Sequence, residues 1–597
     1  MAENETRSLL GHELKQLTFG WTDYTLFTGL LGISVLIGIY FGCFGKKQDN
    51  TTEYLLGGKT MSCFPVSMSL IASHISAVSL LAVPVEVYQY GTQYAACIFT
   101  SFISCGLISL IYMPVFYQLQ LTSTFEYLEM RFTRPVRLFA SFLYSLSLII
   151  YVPLIIYVPA LAFSQATAIN LHLITPIICI VCIFYTTIGG LKAVVWADTV
   201  QMTVTLGSLA AVFILGTIAV GVRKTLSNFD QHSNELLHHL SCIYSMDPSP
   251  FVRNSFWGMS VGMTMTWLTG LGISQVSIQR FLSVPNIREA HKAIGFMGIC
   301  MVAIKWVSVF TGLIMYARYH KCDPISTHVI SRSDQLLPYY VLDVAADIPG
   351  LPGLFLAGLV SAGLSTMSAN LNTVAGTIYE DFIHPWLPES NNKEHRAANI
   401  MKATVVVVGL VCVALVFLVD RLGDIFQASL TLHGITAGSM LGIFTLGMLV
   451  PWATSRGAII GGLLSMLSML WIIVGAQVSA AQKKLYYPPL PTSTEECIKV
   501  ESLHNATTTH TPNPEDKPFV LFTVSFMYYT TVGFLIVMVF GTLISFVFGV
   551  PDLKDVDRNL FPPIVQRFLP PKKYTEVPLH TIPTTLVTNP EKEKLNS

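Results

Sequence analysis

The run from Val360 to Thr373 places Ser361, Ser365, Thr366, Ser368, Asn370, Asn372 and Thr373 inside a segment otherwise apolar enough to span a bilayer. In lipid such side chains are costly and turn to a bundle interior or a hydrated cavity. Several neutral oxygens without a cluster of carboxylates suit a weakly held monovalent cation better than a divalent one. Ser365 and Thr366 are adjacent on a helix, and the Ala362 carbonyl one turn back is placed to join their hydroxyls around one ion. The competing role for both is to bond back to the preceding turn, the ordinary fate of Ser and Thr in membrane helices.

Other polar residues interrupt the apolar segments. Asp198, about one turn inside the segment that follows Gly189-Gly190, could attract a departing cation or cap a helix N-terminus. Gly189-Gly190 itself is expected to end the preceding helix, and Trp196 to sit in an interfacial belt. Arg280 is expected to snorkel to the inner interface. His74, in mid-span, reads as a hydrogen-bonded neutral histidine or as a proton sensor. Tyr151, Tyr157 and Trp267 could line a substrate pocket or simply pack. The sequence holds no Walker A loop, no HExxH, no GxSxG and no Cys/His metal spacing. The expected energy source is therefore an ion gradient, and no enzyme activity or organic cofactor is expected.

The elements that must position these residues are membrane helices. The 597 residues are 52% hydrophobic and 12% charged, about half the charged fraction of soluble domains. Net charge is zero, so no nucleic-acid partner is implied. Apolar stretches long enough to span fall near 23–44, 62–88, 93–117, 137–164, 172–187, 196–221, 256–279, 294–317, 351–378, 400–420, 425–450, 457–477 and 519–548. About thirteen transmembrane helices are expected, in an all-α polytopic membrane protein. Residues 1–20 form a polar extracellular tail, 21–550 the transmembrane domain and 551–597 a Pro- and Lys-rich cytoplasmic tail. Lys and Arg gather in the loops that are internal if the N-terminus is outside, which sets that topology. It puts the sequon at Asn505 in an outer loop, where it can be glycosylated, and Cys242, Cys322 and Cys497 on the oxidising side, where at most one bridge can form among them.

Leaving the span at 23–44 aside, the spans starting at 62 and 256 lie five apart, and each is broken by small or polar residues. The interruptions are Ser69 to Ser79 and Trp267 to Gln275. Paired breaks in matching positions of two halves point to an inverted-repeat transporter with its site at the midplane. Non-helical backbone at that depth must line a cavity.

Together these segments resemble the sodium/solute symporter family, which includes sodium–glucose, sodium–iodide, sodium–monocarboxylate and sodium–multivitamin transporters. The resemblance covers roughly residues 20–550 and is carried by Tyr54 to Met61, Gly189 to Gln201, Gln275 to Arg280 and Ala362 to Asp381. It implies a LeuT-like 5+5 inverted repeat (core about 62–450) with two broken helices. It also implies a sodium site of the Ala72, Ile75 and Ala362 carbonyls with the Ser365 and Thr366 hydroxyls. Ser73, Asp198 and Gln201 match polar positions of ion passage, and Ser79, Tyr151, Trp267, Ser429 and Leu430 match substrate-facing ones. Pro84 to Tyr88 and Asp247 to Arg253 resemble the monocarboxylate, multivitamin and iodide branch. Ala197, Ser274 and His74 replace a usual Thr, Asn and Phe there.

The expected function is sodium-coupled symport of small organic anions, monocarboxylates or carboxylated vitamins, across the plasma membrane by alternating access. A half-helix N-terminus near Gly272–Ser274 could face the substrate carboxylate. Iodide or a neutral solute such as a sugar is the alternative within symport. A sensor or ion channel on the same fold is the alternative of a different class, and proton coupling through His74 is a third possibility within transport.

Overall fold

The computed structural model describes residues 19–44, 61–220 (save 122 and 168), 246–387 (save 347), 393–419, 425–497 (save 483, 486, 495 and 496, with 498–517 excluded) and 518–570 (save 551, 552, 554 and 555). Within them the regular elements are helical. The principal ones are α1 (Trp21–Ile39), α2 (Cys63–His74), α3 (Ala77–Tyr90), α4 (Thr92–Leu119), α5 (Arg134–Thr167), α6 (Leu171–Val220), α7 (Met263–Leu268), α8 (Gln275–Leu282) and α9 (Ile287–Tyr319). They continue with α10 (Leu351–Thr377), α11 (Lys393–Val419), α12 (Ile425–Leu449), α13 (Ser455–Ala481) and α14 (Tyr529–Val547).

Among the described residues ten helices are long and apolar enough to cross a membrane, or eleven when α2 and α3 count as one bent span. The expectation of thirteen rests on two further segments: the apolar stretch Leu171–Thr187, and residues 258–282, which are broken into pieces too short to span singly. Gly189-Gly190, expected to end a helix, falls between two helical segments of α6, the apolar stretch Leu171–Thr187 and the span Ala193–Ala219. Cys182 and Asp198 reach the adjacent residues Leu364 and Ser365 of α10, whereas a straight helix would hold them about 24 Å apart, so α6 turns back on itself between them.

Both anticipated breaks are present. α2 and α3 meet at 57°, because Ile75 (φ −91°, ψ 88°) and Ser76 (φ −80°, ψ 163°) leave the helical region. The second break falls at Ser274 (φ −65°, ψ 131°), between a π-helical turn at Thr269–Ile273 and α8. Each break strands backbone groups that a continuous helix would pair, so each must face polar partners or water.

α10, the segment with the polar run, is buried along nearly its whole length and packs against α5 and α6, with α2 crossing it. Its polar face is therefore directed into protein, as the cost of exposing it to lipid demands. On the far side, α12 and α14 approach closely at Gly438 and Gly533, where a Cβ on Gly438 would fall 2.7 Å from the Gly533 Cα. Cys322 and Cys497 are joined by a disulfide. Cys242, Asn505, Tyr54 to Thr60 and both polar tails beyond residues 19 and 570 lie outside the described residues.

Candidate ion and substrate site

The α2–α3 break deprives the Ala72 carbonyl of its partner in the helix ladder, since Ser76 is extended. The Thr366 hydroxyl fills the place: it lies 3.3 Å from the Ala72 carbonyl and donates at 2.9 Å to that of Ala362. Three of the five oxygens singled out in the sequence, from α2 and α10, thus converge on one point. Thr366 also bonds back to its preceding turn, so the two roles weighed for it are both visible. Ser365 differs, since its hydroxyl donates to Asp198 Oδ1 at 2.5 Å. Ile75 is buried at the break itself and lines a small adjoining cavity.

Asp198 does not cap a helix, contrary to one of its two expected roles: it lies within the span Ala193–Ala219, and its carboxylate is taken by side chains of other helices. It is buried and accepts from Ser69 on α2 (2.6 Å) as well as from Ser365 on α10. Arg280 on α8 completes the set at 3.4 Å. Arg280 does not snorkel: its side chain is only 1% exposed and also donates to Ser69 (2.8 Å) and to the Val276 carbonyl (2.9 Å). The reason is charge pairing. A guanidinium that finds a carboxylate and two further oxygens inside the bundle does not need the interface. One carboxylate therefore ties both broken helices to α10. Ser69 was the unassigned member, and an ionisable residue inside a span is the signal that such partners exist.

Ser73 donates to the Ser69 carbonyl at 2.8 Å. Gln201 turns away from this cluster, donating to Ser34 of α1 at 2.7 Å. His74 Nε2 lies 2.7 Å from Ser277 Oγ, whose hydroxyl reaches the Gly270 carbonyl at 2.9 Å. That chain joins the two breaks directly and makes His74 a hydrogen-bonded bundle residue.

Beside these groups is a cavity of about 190 Å³. Ser79, Tyr151, Trp267, Ser429 and Leu430, the five substrate-facing candidates, all line it, as do Ser73 and Thr366. Tyr157 does not; its hydroxyl is held by Arg332 at 2.7 Å. Asn370 of the polar run also lines the cavity, as do Tyr144 and His433, which the sequence reading did not single out. The His433 ring lies 6.1 Å from that of Tyr151, centroid to centroid. A second mid-span histidine was the available signal for it. Among the described residues lining the cavity there is no Asp, Glu, Lys or Arg.

With this geometry in place, comparison with known proteins is decisive for the class. Residues 54–465 match the model of the Sodium:solute symporter family. Sodium-coupled monocarboxylate transporter 2 of Mus musculus is 37% identical over 550 residues, covering 92% of this chain and 87% of the relative. The sodium-dependent multivitamin transporter of Oryctolagus cuniculus is 34% identical, covering 86% of this chain and 80% of the relative. A solved structure of a Na+-coupled sialic acid symporter, substrate-bound and outward-open, superposes with a TM-score of 0.70 at 22% identity. It covers 89% of this chain and 99% of that one, and it shares the fold.

The chain belongs to the sodium:solute symporter family. It is a multi-pass membrane transporter that couples solute movement to sodium, and Na+ is its co-transported ion.

Proposed function

We propose that this transporter imports small organic monoanions, monocarboxylates or carboxylated vitamins, across the plasma membrane. The observation that carries the reading is the meeting of the Ala72 and Ala362 carbonyls with the Thr366 hydroxyl beside a cavity free of acidic side chains. Such a cavity does not repel an anion. The monocarboxylate and multivitamin transporters among the relatives support the substrate class.

Sodium is assigned to the carbonyls of Ala72, Ile75 and Ala362 with the hydroxyls of Ser365 and Thr366. Neutral oxygens of this kind replace hydration water without holding the ion too tightly to release it. The ion would join α2 to α10 and thereby fix the broken helices that wall the cavity. Sodium and solute then favour the same arrangement, and their coupling is reciprocal in binding free energy. Asp198, one residue contact away through Ser365, would draw the departing ion inward, aided by about 2.3 kcal/mol per charge per 100 mV of membrane potential. The N-terminal end of α8, with Ser274 and Val276 on the cavity wall, offers partial positive charge to a carboxylate.

Uptake of a labelled short-chain monocarboxylate and of its methyl ester, in sodium or choline medium at fixed pH, tests the reading. The expected result is sodium-dependent accumulation of the acid that the ester does not share. Equal uptake in choline, current without accumulation, or equal handling of acid and ester would overturn it.

A further inference from the structure

Near the middle of α9, Lys305 is buried in the bundle with 7% exposure. Its ammonium donates to the Cys97 carbonyl (3.2 Å) and to Ser101 Oγ (3.0 Å), both on α4. It also stands 4.7 Å from the centroid of the Trp267 ring. Among the described residues no carboxylate pairs with it, whereas Arg280, Arg253 and Arg318 each pair with one. A lysine placed in mid-bundle with only neutral partners is costly, and such residues mark function by default.

Its position says which function. Lys305 lines a small cavity of about 30 Å³ with Ile75, Ser79, Tyr94 and Trp267. Ser79, Tyr94 and Trp267 also line the main cavity. The ammonium is therefore separated from the solute space by a single layer of side chains, one of them the ring it already lies against. Across so thin a wall, away from water, a uniform positive field is weakly screened.

We propose that Lys305 is the anion-selecting residue of this transporter: its ammonium, behind Trp267 and Ser79, holds the substrate carboxylate in the main cavity. Of the two histidines on the lining, His74 is engaged by Ser277 and His433 lies against the Tyr151 ring, so the fixed charge nearest to the solute is the one behind the wall. This inference rests on the monoanion reading of the site and specifies what discriminates a charged solute from a neutral one of the same shape.

Lys305→Met keeps the length of the side chain and leaves no carboxylate unpaired, so the bundle is expected to tolerate it. Lys305→Gln keeps a donor for Cys97 and Ser101, and Lys305→Arg keeps the charge. Sodium-driven uptake of a monocarboxylate and of its neutral primary amide is measured in each, normalised to surface protein. The acid-over-amide preference, taken as the ratio of half-saturating concentrations, is expected to fall about tenfold or more in Lys305→Met and Lys305→Gln. Lys305→Arg is expected to retain most of it. An unchanged ratio in both neutral variants, or loss of both from the cell surface, would overturn the inference and make Lys305 a packing strut. A wild-type protein that shows no preference for the acid would instead overturn the substrate reading itself, and this inference with it.

Discussion

Ser365 and Thr366 are neighbours with different work. Thr366 binds the two carbonyls that a cation would need, while Ser365 is the link between that point and the Asp198 carboxylate. Removing either hydroxyl should therefore weaken sodium without unfolding the bundle. Ser365→Ala and Thr366→Ala are each expected to raise the sodium concentration for half-maximal uptake about 5- to 30-fold, the equivalent of about 1–2 kcal/mol for one lost oxygen contact. Surface biotinylation should show normal amounts of both proteins. Unaltered sodium activation in both would remove these hydroxyls from the ion site. Nearby Ser368 and Thr373 bond back to Ser365 and Ala369 carbonyls at 2.9 and 2.8 Å, and their replacement should leave sodium activation unmoved.

Between elements, the Asp198–Arg280 pair is the charged tie beside the site. It fastens α6 to α8 directly and to α2 and α10 through Ser69 and Ser365. Breaking a buried pair by removing one partner costs about 3–5 kcal/mol, because the other charge is left without compensation. Arg280→Met should accordingly lower surface expression sharply. Adding Asp198→Asn to it removes the stranded charge and should recover part of that expression, giving a non-additive double-mutant cycle. Additive losses would show that the two side chains do not act as a pair. The pair was only half legible beforehand: both residues were visible as charges inside spans, but nothing in their separation of 82 positions says that they meet.

At the scale of the whole molecule, the loops after α9 and α13 are knit together. Besides the Cys322–Cys497 disulfide, Asp323 N donates to the Ser493 carbonyl at 3.2 Å and Ser493 N to that of His320 at 2.7 Å. A bridge between these loops fits the proposed topology, N-terminus outside, because both are then on the oxidising face. Cys322→Ser and Cys497→Ser should each lower the thermal stability of the detergent-solubilised protein by up to about 5 kcal/mol. The double variant should be no worse than either single one; additive losses would argue against the bridge. Asn505→Gln should abolish a glycosidase-sensitive mobility shift, and an unglycosylated wild-type protein would count against the outer placement of that loop.

What the sequence determined by itself was the class of solution. Apolar lengths specify membrane helices because lipid leaves no other way to satisfy the backbone. Paired interruptions specify where that rule is relaxed, and the breaks at Ile75–Ser76 and Ser274 fall within them. The five substrate-facing candidates, drawn from four separate segments, line one cavity. Only the tertiary structure decided which polar groups satisfy one another. Thr366 meets Ala72 across 294 positions of chain, and Arg280 is drawn inward to Asp198 when an isolated helix would send it to the interface. Lys305 shows the same limit from the other side. It lies within the apolar stretch 294–317 and was not singled out there; that no carboxylate among the described residues pairs with it, and that Trp267 lies against it, are properties of three helices packed together. Burial fixes the cost of a polar group, and the neighbours that long-range packing supplies decide how that cost is met.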